Sequence, residues 1–327
     1  MTGAAVPALA LTRGEIRAIM TPADYLVAVE AGFEGLHSGT ASAPPPLALE
    51  LARGGFHAKA ASISLDRPYV ALKLNGNFPD NPARHALPTI QGAILLCDGE
   101  TGSLLAVMDS IEVTARRTAA ATALAAKHLA RPDSEIVLIC GCGQQGEAQL
   151  EALRGVLKLR RGYCWDRDAD RATGFAQKQA LTAADDLRAA ALASDVIVTC
   201  TTSTEPFLAA DMVRPGSFIA AVGADAPHKS EIEPGLMARA RVVTDSTKQC
   251  AVMGDLHHAI AANTMCAEDV HAELGEIVAG AKPGRTKADD INLFDSTGVA
   301  VQDVVSAVEI YRRALAAGAR TRIALSL

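Results

Sequence analysis

Five consecutive residues with strand character, Ile136-Val-Leu-Ile-Cys140, run directly into Gly141-Cys142-Gly143-Gln144-Gln145-Gly146 and then into a helix-forming stretch. A strand that ends in G-x-G-x-x-G and opens a helix points to a dinucleotide-binding turn. The first two glycines permit a tight turn and close approach of the backbone to a pyrophosphate, and the third lets the helix pack on the strand. The helix amino terminus presents free N–H groups to the anion. Glycine-rich turns are common, so the motif by itself is weak.

A second strand adds independent support. Tyr163-Cys164-Trp165 ends at Asp166, about 20 residues past the last glycine, where the fingerprint expects the acid that binds a ribose 2′-hydroxyl. An acid there favours NAD(H). NADP(H) is possible, because Arg167 is placed to accept a 2′-phosphate. The structural alternative is that Asp166 caps the helix beginning near Asp168. The cofactor set expected is Gly141, Gly143, Gln144, Gln145, Gly146, Asp166 and Arg167, together with Thr118, Thr201, Thr202, Gly223, Ser296 and Gly298.

With 327 residues, two domains are the prior. Beyond Ser134 the pattern alternates strand and helix, with strands expected at Ile136 to Cys140, Gly162 to Trp165, Val196 to Thr201, Phe218 to Val222, Val242 to Thr244 and Ile291 to Phe294. Such alternation implies an α/β, doubly wound parallel sheet of Rossmann type over residues 131–303. Residues 1–130 form the other domain, α+β, completed by a carboxy-terminal helix within 304–327. Its first 40 residues read as helical, with Thr21-Pro22-Ala23-Asp24 as a helix start. The triple proline Pro44 to Pro46 blocks a helix, and short strands follow from Phe56 to Met108. A helix from Ile111 to Leu129 leads to the expected junction at Arg131-Pro132-Asp133.

The formal charge of -6 argues against a phosphate-backbone binder, so no nucleic-acid role is expected. No stretch approaches the roughly 18 to 20 uninterrupted apolar residues of a membrane span, and no leader pattern opens the chain; a cytoplasmic protein is expected. Seven cysteines form no CxxC pair and are expected reduced and buried. His257, His258 and His271 lack ligand spacing, so no metal is expected.

Polar residues in awkward places mark the chemistry. Lys73 sits inside the apolar run Val70-Ala-Leu-Lys73-Leu, costly unless it faces a cleft or a counterion, the alternative being an ammonium that snorkels to solvent. Arg116 and Arg117 read as the start of a helix, where a cation is unfavourable unless an anion is near, and one of them suits a bidentate grip on a carboxylate. Asp225 follows a parallel strand at its carboxyl end, a candidate acid or base or else a turn aspartate. In Phe294-Asp295-Ser296-Thr297-Gly298, Asp295 or Ser296 is placed to cap the next helix, leaving the backbone to line a nicotinamide pocket.

Together these segments resemble the ornithine cyclodeaminase, mu-crystallin and archaeal alanine dehydrogenase family. The resemblance rests on Lys73 with the Asn-x-x-Pro-x-Asn stretch, Thr114-x-Arg116-Arg117-Thr118-Ala-Ala, the dinucleotide turn, Gly223-Ala-Asp225-Ala-Pro, Val270-His-Ala-Glu273-Leu-Gly275-Glu276-Ile and Phe294-Asp295-Ser296-Thr297-Gly298. It implies a homodimer whose first domain makes the subunit contact and holds a small imino or amino acid substrate over the nicotinamide. It makes Lys73 and Arg117 substrate ligands, Lys73 also catalytic, and Asp225 the acid of proton transfer. Many relatives in the resemblance carry an arginine just after the proline-rich turn and a Met-Pro pair on the next strand, where this chain has Leu47 and then Phe56-His57-Ala58-Lys59-Ala60; Lys59 or His57 is expected to replace the arginine at the substrate carboxylate. That departure leans toward the pyrroline-2-carboxylate (ketimine) reductase branch, an NAD(P)H-dependent reductase of small α-imino acids, with alanine-dehydrogenase-like chemistry in the same class. The alternatives are an ornithine cyclodeaminase, which recycles NAD and releases ammonia, and a non-catalytic mu-crystallin-like binding protein.

Overall fold

The computed structural model describes residues 7–324. Its elements begin with β1 (Ala8–Leu11), α1 (Arg13–Ile19), α2 (Pro22–Ser38), β2 (Ala41–Ser42), β3 (Leu47–Leu51), β4 (Gly54–Ser64) and β5 (Pro68–Asn77). Next come α3 (Asn81–His85), β6 (Ile90–Asp98), β7 (Leu104–Asp109) and α4 (Ser110–Leu129). An alternating series follows: β8 (Ile136–Cys140), α5 (Gln144–Arg154), β9 (Arg161–Trp165), α6 (Ala169–Gln179), β10 (Thr182–Ala183), α7 (Leu187–Ala193) and β11 (Val196–Thr199). It continues with β12 (Phe218–Ala221), α8 (Pro234–Arg239), β13 (Arg241–Thr244), α9 (Thr247–Met253), α10 (Asp255–Ala261), β14 (Ala272–Glu273), α11 (Leu274–Val278) and β15 (Asn292–Asp295). Helix α12 (Val301–Ala316) and β16 (Arg322–Ile323) close the described chain. Two compact units result: one takes the described residues up to Arg117 together with those from Ala300 onward, the other Thr118–Val299.

The first unit is a sheet in the order β16-β1-β7-β6-β5-β4-β2, with β3 also on β4, antiparallel except where β1 runs beside β7. Helices α2 and α12 cover one face of it. Alternation along the strands turns Ala61, Ile63, Tyr69, Ala71, Ile94 and Leu96 into that core, and Phe33 of α2 and Val304 of α12 are fully buried as well. The two helices approach closely at Gly32, where a Cβ would lie 3.2 Å from Val305. Thr12 with Glu15, and Thr21 with Asp24, close reciprocal caps that start α1 and α2.

Two expectations change here. The helical reading of the first 40 residues fails at Ala8–Leu11, which is a strand with Leu9 paired to Ala106; Ala-Leu-Ala-Leu carries no period of its own, and pairing with β7 decides it. After the triple proline a strand forms at once, β3, ahead of the first one expected. Residues 325–327, inside the expected terminal helix segment, lie outside the described residues.

The second unit is a wholly parallel sheet in the order β10-β9-β8-β11-β12-β15-β13-β14. From β8 the chain winds outward to β9 and β10, then returns to β8's other side at β11. This is the doubly wound α/β arrangement that the alternation implies, and the reversal beside β8 is the switch point where such sheets bind ligands at their carboxyl ends. Leu138, Ile197, Ile219 and Leu293 are fully buried across neighbouring strands. The cysteines divide: Cys140, Cys142, Cys164 and Cys250 are buried, Cys97 and Cys200 are partly so, and Cys266 is exposed, against the expectation that all are inside. Among the described residues all seven are free thiols.

Candidate functional site

In the second unit the three turn glycines do different work. Gly141 has φ +107°, and a Cβ there would lie 2.7 Å from the Cys200 carbonyl oxygen, so only glycine fits. A Cβ on Gly146 would lie 2.3 Å from the Gly141 oxygen and 3.1 Å from Ile139, the helix pressing on its strand. Gly143 differs: a Cβ would meet nothing within 4 Å. The protein's own packing does not require glycine there, and its absence of a side chain keeps clear the space before the start of α5, where N–H groups of the first turn point outward. That is the fit expected for a dinucleotide pyrophosphate.

Asp166 directly follows β9 and accepts from the Cys142 N–H at 2.9 Å and the Asp168 N–H at 3.0 Å. It therefore holds the glycine turn from the neighbouring strand. Capping of α6 belongs to Asp168, which accepts from the N–H groups of Asp170 and Arg171. Arg167 beside it is exposed.

Other residues sit along the carboxyl edge of the same sheet. The Thr201 N–H and hydroxyl donate to the buried Glu231 carboxylate, and so does the Gly223 N–H. Thr202 follows with its side chain exposed, and Thr118 lies half-buried in α4. Ser296 Oγ and Gly298 N–H donate to Asp245. The expectation that Asp295 or Ser296 caps the following helix is corrected: α12 has no side-chain cap, and Asp295 accepts instead from the N–H groups of Asp255 and Leu256 at the start of α10. Asp225, on the loop after β12, is 54% exposed and pairs with Lys229 at 2.5 Å.

In the first unit, strand β5 inverts the usual pattern. Its apolar Val70, Leu72 and Leu74 are exposed, while Lys73 between them is 3% exposed. Lys73 reaches Asp303 of α12, with Nζ 2.8 Å from Oδ1 and 2.7 Å from Oδ2. Asp303 also accepts from Arg117 Nε at 3.1 Å, and Arg117 Nη1 donates to Gln302 at 2.8 Å. Lys59 is the cross-strand partner of Lys73, and His57 that of Asn75, so both lie on the same face, half-buried. The apolar inner face of the sheet thus ends in a polar corner where Lys73 and Arg117 meet on Asp303, with Lys59 and His57 on the same face of the strands.

The electrostatics follow from burial. Desolvation, with the Arg117 charge adding to it, lowers Lys73 from 10.5 to about 7 against the attraction of Asp303. Burial works against ionised Asp303, but the Lys73 and Arg117 charges outweigh it and hold its carboxyl below the usual range. With Lys73 protonated, two cations on one buried carboxylate leave an excess of positive charge, which suits an anion.

The reading of Arg117 as a cation at a helix start is corrected. Arg117 is the eighth residue of α4, well inside the helix, so the dipole at a helix start does not bear on it; Asp303 is its anion. Arg116 is the more solvated of the pair, bound to Glu112 one turn back. Asp303 itself was not foreseen. The available signal was an acid set between valines in Val301-Gln-Asp303-Val304-Val305, where every side chain is buried.

A model of the ornithine cyclodeaminase/mu-crystallin family matches residues 8–318. The chain belongs to that family. Within it, the alanine dehydrogenase of Archaeoglobus fulgidus is 36% identical over 318 residues, covering 96% of this chain and 98% of the relative. An archaeal alanine dehydrogenase dimer solved with bound NAD superposes with a TM-score of 0.93 at 35% identity, covering 98% of this chain and all of that one. The Thermococcus litoralis Δ1-pyrroline-2-carboxylate reductase, solved with NADH and L-proline, gives 0.92 at 30% identity over 96% of this chain and 100% of that one. Solved structures of similar fold and at least 28% identity include cyclodeaminases as well as these oxidoreductases, so the chain is an enzyme of one or the other kind.

Proposed function

We propose that the chain is an NADH-dependent reductase of small α-imino acids, of the kind that turns Δ1-pyrroline-2-carboxylate into proline or aminates pyruvate to alanine. The observation that carries this reading is the buried Lys73–Asp303–Arg117 cluster, a preformed cationic grip within the first unit. Arg117 offers a planar fork and Lys73 an ammonium held in place by Asp303, and together they orient a substrate by its carboxylate. Lys59 or His57, on the same face, supplies the cation that relatives carry after the proline-rich turn. Asp225 is the group for proton transfer at the substrate nitrogen, since its carboxylate is accessible and its loop follows a parallel strand.

Gly141, Gly143, Gln144, Gln145 and Gly146 would hold the pyrophosphate, and Asp166 the adenosine ribose. Asp166 would repel a 2′-phosphate, so NAD(H) is favoured over NADP(H). When bound, NADH supplies the hydride. A protonated C=N accepts it far better than a neutral one, which is why a titratable acid belongs in the site.

The working form is a homodimer. Leu47, Leu49 and Leu51 of β3 and Val70, Leu72 and Leu74 of β5 are 37–59% exposed, and the pairings Leu47 to Ala58 and Ala58 to Leu74 place them on one face of the sheet. An apolar face of that extent calls for a cover, and a second copy supplies one.

The deciding experiment follows NADH absorbance with Δ1-pyrroline-2-carboxylate, piperideine-2-carboxylate and pyruvate plus ammonia, and ammonia release from ornithine. Stoichiometric NADH consumption supports the reductase. Ammonia from ornithine without net absorbance change makes it a cyclodeaminase, and NADH binding without any turnover makes it a binding protein.

A further inference from the structure

Four buried carboxylates line the carboxyl edge of the second unit's sheet, each accepting from a segment beside the next. Asp245, just past β13, accepts from Ser296 Oγ at 2.9 Å and Gly298 N–H at 2.6 Å. Asp295, ending β15, accepts from the N–H groups of Asp255 and Leu256 at 3.3 and 3.0 Å. Asp255 accepts from those of Glu231 and Ile232 at 2.9 and 3.0 Å. Glu231 ends the series and takes four donors: Thr201 N–H at 2.6 Å and its hydroxyl at 2.7 Å on Oε1, Thr199 hydroxyl at 2.7 Å and Gly223 N–H at 2.9 Å on Oε2.

Glu231 is wholly buried, so it touches no ligand itself. What it does is join two loops. The ladder between β11 and β12 ends at Thr199 and Ala221, and beyond that point Thr201 and Gly223 are held by this one side chain. The fit is tight enough that a Cβ on Gly223 would lie 2.4 Å from Oε1. These loops stand on the side of β8 away from β9 and Asp166. If Asp166 takes the adenosine ribose, the other half of a dinucleotide extends over β11 and β12.

We propose that Glu231 is a positioning residue for the nicotinamide half of the coenzyme, acting through Thr201 and Gly223; this rests on the reading that the second unit binds NADH. The isosteric Glu231→Gln keeps the volume but turns an amide NH₂ toward fixed N–H donors. Calorimetric titration of NADH and of ADP-ribose, which lacks the nicotinamide, separates the two halves of the site. NADH affinity is expected to fall about tenfold, the cost of one unsatisfied buried group, with ADP-ribose within about twofold. Hydrogen exchange at the Thr201 and Gly223 amides of the ligand-free protein should quicken by a similar factor.

A NADH to ADP-ribose affinity ratio equal to that of the unmodified protein overturns the proposal, whether both ligands hold or both weaken together. Should Glu231→Gln not fold, Thr201→Val removes a single hydroxyl and carries the same expectation at about threefold, and an unchanged ratio there overturns it equally. The titrations need no turnover. A chain that binds both ligands but reduces no imino acid sinks the reductase reading alone, while one that binds neither sinks both.

Discussion

Lys73 and Asp303 stand 230 positions apart in the chain and meet as a buried ion pair, with Arg117 on the same carboxylate. Burial makes this arrangement costly to break. Asp303→Asn leaves two buried cations without their anion, and removing one partner of such a pair costs about 3–5 kcal/mol. Thermal and urea unfolding should show that loss, and Asp303→Asn combined with Lys73→Met should recover part of it. A single variant as stable as the unmodified protein would refute the account.

The Lys73 ammonium, brought to about 7, makes anion binding pH-dependent. Above that value it is neutral, so the affinity for pyrrole-2-carboxylate, an inert planar carboxylate, should weaken up to tenfold per pH unit, roughly the limit for one proton. Lys73→Arg should flatten the profile. Stability moves the other way: a cation with a depressed folded pKa contributes fully above its ordinary 10.5, and that contribution is lost as pH falls through about 7.

Gly143→Ala and Gly146→Ala should fail differently. At Gly146 the added methyl meets the Gly141 oxygen at 2.3 Å, and the protein should lose stability outright. At Gly143 it meets only open space. There the melting temperature should hold while NADH binding weakens by about tenfold or more, as a backbone kept from its anion would. Unimpaired NADH binding by Gly143→Ala would place the coenzyme elsewhere.

Burial first, and then the Asp255 charge, raise Glu231 to about 7 from 4.5. An acid raised in the folded state contributes stability that is complete below 4.5 and is lost as pH rises through about 7. Over that window the loss amounts to roughly 3 kcal/mol. Urea unfolding at the two ends should show a smaller difference for Glu231→Gln; an equal difference would mean that another group titrates.

Leu72→Lys places a charge on the exposed apolar face. Sedimentation should find a dimer for the unmodified chain and a monomer for the variant. A monomeric unmodified chain would leave that face to another partner.

The parallel sheet and the dinucleotide turn were legible in the chain because they are local: an apolar run, three glycines and an acid about 20 residues on are a short-range pattern with a short-range cause. Lys73 was visible for the same reason, as a charge where alternation leaves no room for one. What tertiary structure alone decided was everything that depends on distant segments meeting. Ala8–Leu11 is a strand only because β7 lies beside it. Arg117 owes its burial to an anion almost two hundred residues away rather than to its place in the helix. Glu231 carries no local signal in the chain, and four donors from two strand ends converge on it only in the folded sheet. Local periodicity is written in neighbouring residues, whereas the partner that makes a buried charge tolerable is chosen by the fold, because only desolvation in the packed state makes that partner necessary.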